Sequence, residues 1–184
     1  MRTYKCLQNN NFILNEFSIV PIRDSDRYKI LKIRNEQLYH LRQQVPLTVE
    51  IQDAYFKTIV AGLFQEEKPS QLLFTFLRNG EFVGYGGLVH INWIDHHAEI
   101  SFIMETELEA EHFHFYWKTF LSLIEKVAFK ELKFNKIFTY AFDLRKHLYL
   151  VLEECGFKKE AVLSEHCYID EKYLDVIIHT KYHE

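Results

Sequence analysis

Two titratable side chains lie within runs of residues that are typical of strands, and both could take part in proton transfer. Glu99 stands between apolar neighbours in a run that ends at Met104. A carboxylate in such surroundings is expected to have a raised pKa, which suits it to accept a proton at neutral pH. His90, on the preceding run, could act directly or through a water molecule. The alternatives are a solvent-facing glutamate in an ion pair and a structural histidine.

A second group of polar residues, further toward the N-terminus, suggests that the chain binds an anionic substrate. Arg34 and Arg42 share helical spacing, so both guanidinium groups can face one cleft, with Asn35 beside them. A guanidinium group matches the geometry of a diphosphate or a carboxylate. Trp93, near the end of a strand, could stack on a sugar ring. The alternatives are an ion-paired helix face for the arginines and a core position for the tryptophan.

Local sequence signals predict the elements that position these residues. Phe17 to Ile22 forms a strand, a helix follows over about 27–41, and Thr48 caps a second helix. Asn79-Gly80 predicts a hairpin turn, and Gly156 is expected to end the last helix in the left-handed conformation. The remaining predicted elements are strands over about 71–77, 82–93, 98–104, 136–142, 159–168 and 173–181 and helices near 113–129 and 144–155.

This order of elements predicts a fold class and one structural detail. The class is α/β (α+β): a mixed, mostly antiparallel twisted sheet of six to seven strands with helices on both faces, in a single domain over residues 1–184. The strand–helix–strand unit from Ala98 to Phe142 should be a right-handed parallel crossover.

Composition limits the classes of partner. The 184 residues are 48% apolar and 16% aromatic, which is enough for a full hydrophobic core. A formal charge of −4 argues against a nucleic-acid partner, because phosphate binding needs a basic field. Apolar runs fall short of the ~20 residues of a membrane span, and the N-terminus lacks the apolar segment of a signal peptide. Three cysteines without a Cys-x-x-Cys pattern favour free thiols in the cytoplasm, and no ligand spacing indicates a metal.

The order of elements, together with short motifs, resembles the GNAT superfamily of acyl-CoA N-acyltransferases over residues 17–181. Leu152-Glu-Glu-Cys-Gly-Phe157 is similar to the family's Leu-Glu-Lys-x-Gly-Phe ending, and Ala98-Glu-Ile-Ser-Phe102 is similar to its fourth strand. Lys32-Ile-Arg-Asn-Glu36 looks like the first-helix motif of the branch that acetylates nucleotide-linked amino sugars. The alanine N-acetyltransferases of ribosomal-protein N-termini share the same general layout.

The resemblance implies that acetyl-CoA is the co-substrate and that fourth-strand N–H groups polarise its carbonyl. It also implies that the strands beginning at Ala98 and Lys136 splay apart at their C-terminal ends and form a notch for CoA. The expected contacts with CoA are the backbone of Phe102, Ile103 and Met104, the helix start at His112, Phe113 and His114, and the side chain of Arg145. Family members have a glycine-rich loop there, whose N–H groups approach the pyrophosphate. Residues 105–114 depart from this pattern, because they contain four glutamates and no glycine.

The resemblance also implies catalytic roles. Glu99 stands where many family members have the general base, and His90 is the second choice. Leu152 occupies the position of the family's tyrosine acid, so Tyr149, one helical turn earlier, is the candidate to replace it. An ordinary packing role is the alternative for Tyr149.

These features together predict an N-acetyltransferase that moves an acetyl group from acetyl-CoA to a primary amine of a small molecule. A nucleotide-linked amino sugar is the candidate acceptor. One alternative is an N-terminal protein (alanine) acetyltransferase, and another is a GNAT-like binding module that has lost CoA and catalysis. A homodimer through the last strands is also considered, whereas a metal, a nucleic acid and a membrane are not expected as partners.

Overall fold

A single mixed sheet forms the centre of the computed structural model, which describes residues 2–184. The strands are β1 (Phe12–Leu14), β2 (Phe17–Pro21), β3 (Leu72–Arg78), β4 (Glu81–Asn92), β5 (His97–Met104), β6 (Lys136–Phe142), β7 (Lys158–Ile169) and β8 (Lys172–Tyr182). Their order across the sheet is β1-β2-β3-β4-β5-β6-β8-β7, and only β5 and β6 are parallel neighbours. The α/β (α+β) class is confirmed.

The sheet has eight strands rather than the six to seven that were predicted. The additional strand is β1, which is three residues long and pairs with β2 through Phe12 opposite Ile19. Three residues are too few to show an alternation of apolar and polar positions, so the sequence gives no clear signal for this strand.

Helices account for most of the remaining ordered structure. They are α1 (Arg27–Glu36), α2 (Val49–Tyr55), α3 (Ala61–Leu63), α4 (Thr106–Glu125) and α5 (Lys146–Glu154). Phe56–Val60 joins α2 to α3 as a π-helical segment, and Lys126–Glu131 extends α4 in the same way. Helix α1 ends before the predicted residue 41, and a short 3₁₀ turn, Leu38–His40, follows it. Within residues 2–184, the helices are too short or too polar to cross a bilayer.

Local sequence signals correctly predicted several boundaries. The hydroxyl of Thr48 accepts a hydrogen bond from the N–H of Ile51 at 3.3 Å, which caps α2. Asn79 and Gly80 both have positive φ angles, of 50° and 84°, as the β3–β4 hairpin turn requires. Gly156, with φ of 84°, follows α5 in the left-handed conformation.

Helices cover both faces of the sheet. On one face the rings of Phe102 on β5 and Phe120 on α4 stack with their centroids 4.0 Å apart. On the other face, Nη1 of Arg34 on α1 donates a hydrogen bond to the hydroxyl of Tyr85 on β4 at 2.7 Å. Tyr85 pairs with Ile103, which is adjacent to Phe102, so successive residues of β5 serve opposite faces.

The parallel pair β5–β6 positions the candidate site. Its register covers only three positions, His97–Glu99 opposite Lys136–Phe138. Strand β5 then continues to Met104 and β6 to Phe142 without further pairing to each other. Beyond Glu99, backbone groups on the facing edges therefore lack the ladder partners that a continuous pair would supply. The predicted notch between these strands is present.

Candidate active site

A cleft of about 450 Å³ opens where β5 and β6 separate, and its size suits an organic small molecule. Strand residues that line it include His90, Glu99, Ser101, Phe102, Thr139, Tyr140, Ala141 and Phe142. The other lining groups include Arg34 of α1, His40 and Arg42 after α1, and Arg145 before α5. The cleft thus brings together residues from both of the groups that the sequence singled out.

Glu99 lines the cleft and is 9% exposed. Its Oε1 atom accepts a hydrogen bond from Nη2 of Arg42 at 2.8 Å. Its Oε2 atom lies 4.0 Å from Nε2 of His90. The carboxylate therefore has a guanidinium partner in addition to the apolar neighbours that the sequence shows, and one oxygen remains available to another group.

A β-bulge places His90 next to this pair. The register between β4 and β5 shifts between Val89 and Asn92, and His90 has a φ angle of 48°. Bulges redirect side chains, and here Nε2 of His90 lies 3.2 Å from Nη1 of Arg42. This contact holds His90 beside the carboxylate of Glu99, and the side chain of His90 is largely exposed.

Tyr140 is a cleft residue that the sequence analysis did not identify. The guanidinium carbon of Arg42 lies 3.8 Å from the centroid of its ring, and its hydroxyl is 3.3 Å from Sγ of Cys167. Burial, followed by the contact with the thiol, raises the pKa of Tyr140 to about 12. Tyr140 lies two residues after Phe138, which pairs with Glu99, so strand alternation places it on the face of Glu99. The sequence alone does not reveal this placement, because it depends on how β6 pairs with β5.

Tyr149, the predicted acid, is not among the lining residues of the cleft. Its hydroxyl donates a hydrogen bond to Oδ1 of Asp143 at 3.0 Å, and its ring stacks on His179 with centroids 4.9 Å apart. Burial, followed by the contact with Asp143, raises the pKa of Tyr149. These contacts tie α5 to the sheet and direct the hydroxyl toward Asp143, a residue that does not line the cleft.

Two predicted substrate-binding residues also lie outside the cleft lining. Asn35 holds the segment before α2, because its Oδ1 accepts from the N–H of Leu47 at 2.8 Å and its Nδ2 donates to the Leu47 carbonyl at 2.9 Å. Trp93 donates from Nε1 to the carbonyl of Pro69 at 2.8 Å, and its ring packs edge-on against Phe134. Both side chains are used in contacts that stabilise the fold, whereas Arg34 and Arg42 do line the cleft.

The acidic segment after β5 starts α4 directly, at Thr106. Two of its glutamates have cationic partners, Glu107 with Lys32 at 3.8 Å and Glu109 with Arg145 at 3.0 Å, and Glu111 lies 3.8 Å from Nε2 of His112. Burial raises the pKa of the fourth, Glu105. The charge of Glu109 is therefore balanced by Arg145 and that of Glu107 in part by Lys32, and the positive end of the helix dipole still favours an anion.

The residues predicted to contact CoA separate into three groups. Phe102 and Arg145 line the cleft. Ile103 and Met104 are buried, and the carbonyl of Met104 accepts a hydrogen bond from Gln37. The α4 residues lie outside the lining: the His112 ring stacks on Tyr116, Phe113 is buried beside Trp117, and Nε2 of His114 is 3.0 Å from a carboxylate oxygen of Glu154.

Metal ligands are not clustered in the part of the chain that the structure describes. No group of three or more His, Cys, Asp or Glu side chains among residues 2–184 is arranged to hold an ion.

Comparisons with known proteins place the fold. A family model described as "Acetyltransferase (GNAT) domain" matches residues 19–178. A spermidine N-acetyltransferase from Vibrio cholerae in complex with CoA and spermine has a TM-score of 0.80 at 18% identity, covering 92% of this chain and 96% of that one. A chimera of the Vibrio cholerae enzyme SpeG and hSSAT has a TM-score of 0.77 at 22% identity, covering 91% and 96%. A dodecameric Vibrio cholerae spermidine N-acetyltransferase has a TM-score of 0.75 at 20% identity, covering 92% of this chain and 95% of that one. No relative was found among curated protein sequences.

Proposed function

Because the chain belongs to the acetyltransferase (GNAT) domain family, whose co-substrate is acetyl-CoA, we propose that it acetylates a primary amine of a small molecule. The observation that carries this proposal is the early separation of β5 from β6. Glu99 occupies the last paired position and lines the cleft, as do Ser101 and Phe102 just beyond it. A proton acceptor therefore lies where the notch opens.

The residues around the notch fit acetyl-CoA, which supplies the acetyl thioester. Backbone groups of β5 beyond Glu99 that face the departing β6 are free to bind the ligand in place of a strand. We assign the diphosphate to the free N–H groups at the start of α4, which Glu109 joins to Arg145 of the cleft wall through an ion pair. An N–H group of β5 that hydrogen-bonds the thioester oxygen would stabilise the charge that develops there.

Proton removal from the acceptor is assigned to Glu99. An ammonium group must lose a proton before its nitrogen can attack the carbonyl carbon, and the second carboxylate oxygen of Glu99 is not held by Arg42. His90 is the second choice, acting from the solvent side or through a water molecule. Arg42 holds Glu99 in position and is itself held by the ring of Tyr140.

Proton delivery to the leaving group is assigned to Tyr140 in place of Tyr149. When the carbon–sulfur bond breaks, the thiolate needs a proton, and a phenol with a pKa of about 12 carries one at neutral pH. The position of Tyr140 in the cleft supports this role, whereas Tyr149 does not line the cleft.

The identity of the acceptor amine is a narrower proposal. The structural likeness to spermidine N-acetyltransferases favours a polyamine, and the arginines of the cleft favour a nucleotide-linked amino sugar. An alanine-starting peptide, as for an N-terminal protein acetyltransferase, remains a third candidate. Membership of an acetyltransferase family argues against the non-catalytic module. A homodimer through β7, which forms one edge of the sheet, also remains a proposal that light scattering would test.

Amine-dependent release of free CoA thiol tests the proposed function. The chain is mixed with acetyl-CoA and, in turn, spermidine, glucosamine, glucosamine 6-phosphate and an alanine-starting peptide. We expect thiol release with at least one small amine and confirmation of the acetylated product by mass spectrometry. Thiol release that is the same with and without every small amine would contradict the proposal.

A further inference from the structure

The charge of the cleft is unusual for a site that binds a polycation. Three arginines line it, and Glu99 is the single acidic residue among the lining residues in the described part of the chain. Arg42 is paired with Glu99, and Arg145 is paired with Glu109. Arg34 is paired with neither of these carboxylates, so its charge is not balanced by them.

Arg34 is held only by neutral acceptors. Its Nε atom donates to the amide oxygen of Gln43 at 2.9 Å, and its Nη1 atom donates to the hydroxyl of Tyr85 at 2.7 Å. Among residues 2–184, no carboxylate oxygen lies within ion-pairing distance of its guanidinium group, and its Nη2 atom has no hydrogen-bond partner. The Nη2 atom is not fully buried, so it is open to a ligand, and a guanidinium group binds a carboxylate or a phosphate through charge-assisted hydrogen bonds.

Two tyrosine hydroxyls beside Arg34 are also without acceptors. The Tyr85 oxygen accepts from Arg34, and the Tyr55 oxygen accepts from Nε2 of Gln71 at 3.3 Å. Neither hydroxyl proton is donated to a protein group within the described chain. The cluster thus presents a guanidinium N–H and two O–H donors, and it presents no negatively charged acceptor.

The donor cluster lines a second cavity, and Arg34 belongs to the lining of both that cavity and the cleft. The second cavity, of about 230 Å³, lies between α1 and α2, and Tyr55 and Tyr85 contribute to it. The rest of that lining is mostly apolar: Ile22, Ile30, Leu47, Ile51 and Phe56, with Gln52. Low-polarity surroundings strengthen a charge-assisted hydrogen bond, because water competes less for the donors.

We propose that the acceptor amine carries an anionic group, a carboxylate or a phosphate, that binds Arg34 together with the hydroxyls of Tyr85 and Tyr55. This inference rests on the proposed function and narrows its substrate class. Spermidine and spermine have no anionic group, so the substrate of the structural relatives does not satisfy this cluster. The amine of the acceptor would extend along the cleft toward Glu99.

Direct binding without acetyl-CoA tests the inference. Calorimetric titration of the full chain compares glucosamine 6-phosphate and phenylalanine, which carry a phosphate and a carboxylate, with glucosamine and spermidine. We expect at least one acidic amine to bind about tenfold more tightly than both controls, since one hydrogen bond to a charged group accounts for that difference. The acidic amine that binds shows whether the anionic group is a phosphate or a carboxylate.

Substitutions test whether the preference for an acidic amine depends on Arg34 and Tyr85. Arg34→Gln should remove the preference for the acidic amine, and Tyr85→Phe should reduce it severalfold while leaving the fold intact. Arg27→Gln, on the same helix but paired with Asp53 outside the cleft, is the matched control and should keep it. Equal or absent binding of all four probes, tighter binding of spermidine, or a preference that survives both Arg34→Gln and Tyr85→Phe would overturn the inference.

The two proposals can fail separately. The titration contains no acetyl-CoA, so a chain that binds glucosamine 6-phosphate but never releases thiol would contradict the proposed function and leave the anion site standing. A chain that acetylates spermidine faster than any acidic amine would retain the proposed function and contradict the anion site.

Discussion

Nη2 of Arg42 donates a hydrogen bond to Oε1 of Glu99 across 2.8 Å, and this contact joins the segment after α1 to the last paired position of β5. The two residues are 57 positions apart in the chain. The contact fixes the carboxylate at the point where β5 and β6 separate, with its second oxygen nearer His90.

Replacement of Glu99 tests its role as the base. Glu99→Gln keeps the size of the side chain but cannot accept the proton, so turnover at neutral pH should fall by about 10²- to 10⁴-fold. Acetyl-CoA affinity should change little. Glu66→Gln, in an exposed loop, is the control and should retain full turnover. Unchanged turnover in Glu99→Gln would transfer the role of base to another residue.

Replacement of the two tyrosines separates the acid from the packing residue. Tyr140→Phe should lower kcat by about tenfold or more, because the leaving thiolate then takes its proton from water. Tyr149→Phe should leave kcat close to that of the unaltered chain, since its hydroxyl bonds Asp143 outside the cleft. Steady-state kinetics with a fixed amine distinguish them, and a larger loss in Tyr149→Phe would restore the role predicted from the sequence.

The ion pair between Glu109 and Arg145 should control acetyl-CoA affinity. Both side chains are 13% exposed, and their oxygen and nitrogen lie 3.0 Å apart. If Arg145 also binds the diphosphate, Arg145→Gln should weaken acetyl-CoA about tenfold. Glu109→Gln should strengthen it severalfold, because the guanidinium group loses a competing anion. Glu107→Gln, at an exposed position on the same helix, should have a smaller effect. Equal affinities in all three would contradict this role.

Acid should destabilise the chain through His40, which lines the cleft. Burial, followed by the nearby guanidinium group of Arg145, lowers the pKa of His40 to about 3. An unfolded histidine titrates near 6.5, so the unfolded state binds more protons between about pH 6.5 and pH 3. The stabilising contribution is complete above pH 6.5 and is lost as pH falls through that window.

Denaturant unfolding of the chain and of His40→Gln measures this effect. Between pH 6.5 and pH 5, the free energy of unfolding of the unaltered chain should fall more steeply than that of the variant. The difference should reach up to about 1.4 kcal/mol per pH unit. Parallel pH profiles of the two proteins would contradict this prediction, because His40 would then titrate alike in the folded and unfolded states.

Local chemistry explains what the sequence predicted well. The cap at Thr48, the turn at Asn79-Gly80 and the stop at Gly156 each depend on residues within a few positions, and all three are present. The separation of β5 from β6 was also predicted, through the family resemblance. The choice of Glu99, Arg34 and Arg42 as cleft residues followed from their types and from that resemblance.

Contacts that no short sequence motif reveals explain what the sequence did not predict. The ring of Tyr140 reaches the cleft because β6 pairs in register with β5, and no local pattern reveals that register. Tyr149 shares a helix face with the expected acid position, yet Asp143 fixes its hydroxyl outside the cleft lining. Trp93 is likewise directed to Pro69 by a contact across 24 residues.

Calorimetric titration of acetyl-CoA into the chain tests the central claim, that the notch between β5 and β6 binds this co-substrate. Ala141→Trp would fill the notch, because Ala141 lines the cleft, and Ala161→Trp would add the same ring to β7, away from it. Circular dichroism first confirms that both variants fold. We predict one site per chain, at least a hundredfold weaker binding in Ala141→Trp, and unchanged binding in Ala161→Trp. No heat at millimolar acetyl-CoA, or equal affinity in Ala141→Trp and the unaltered chain, would contradict the account.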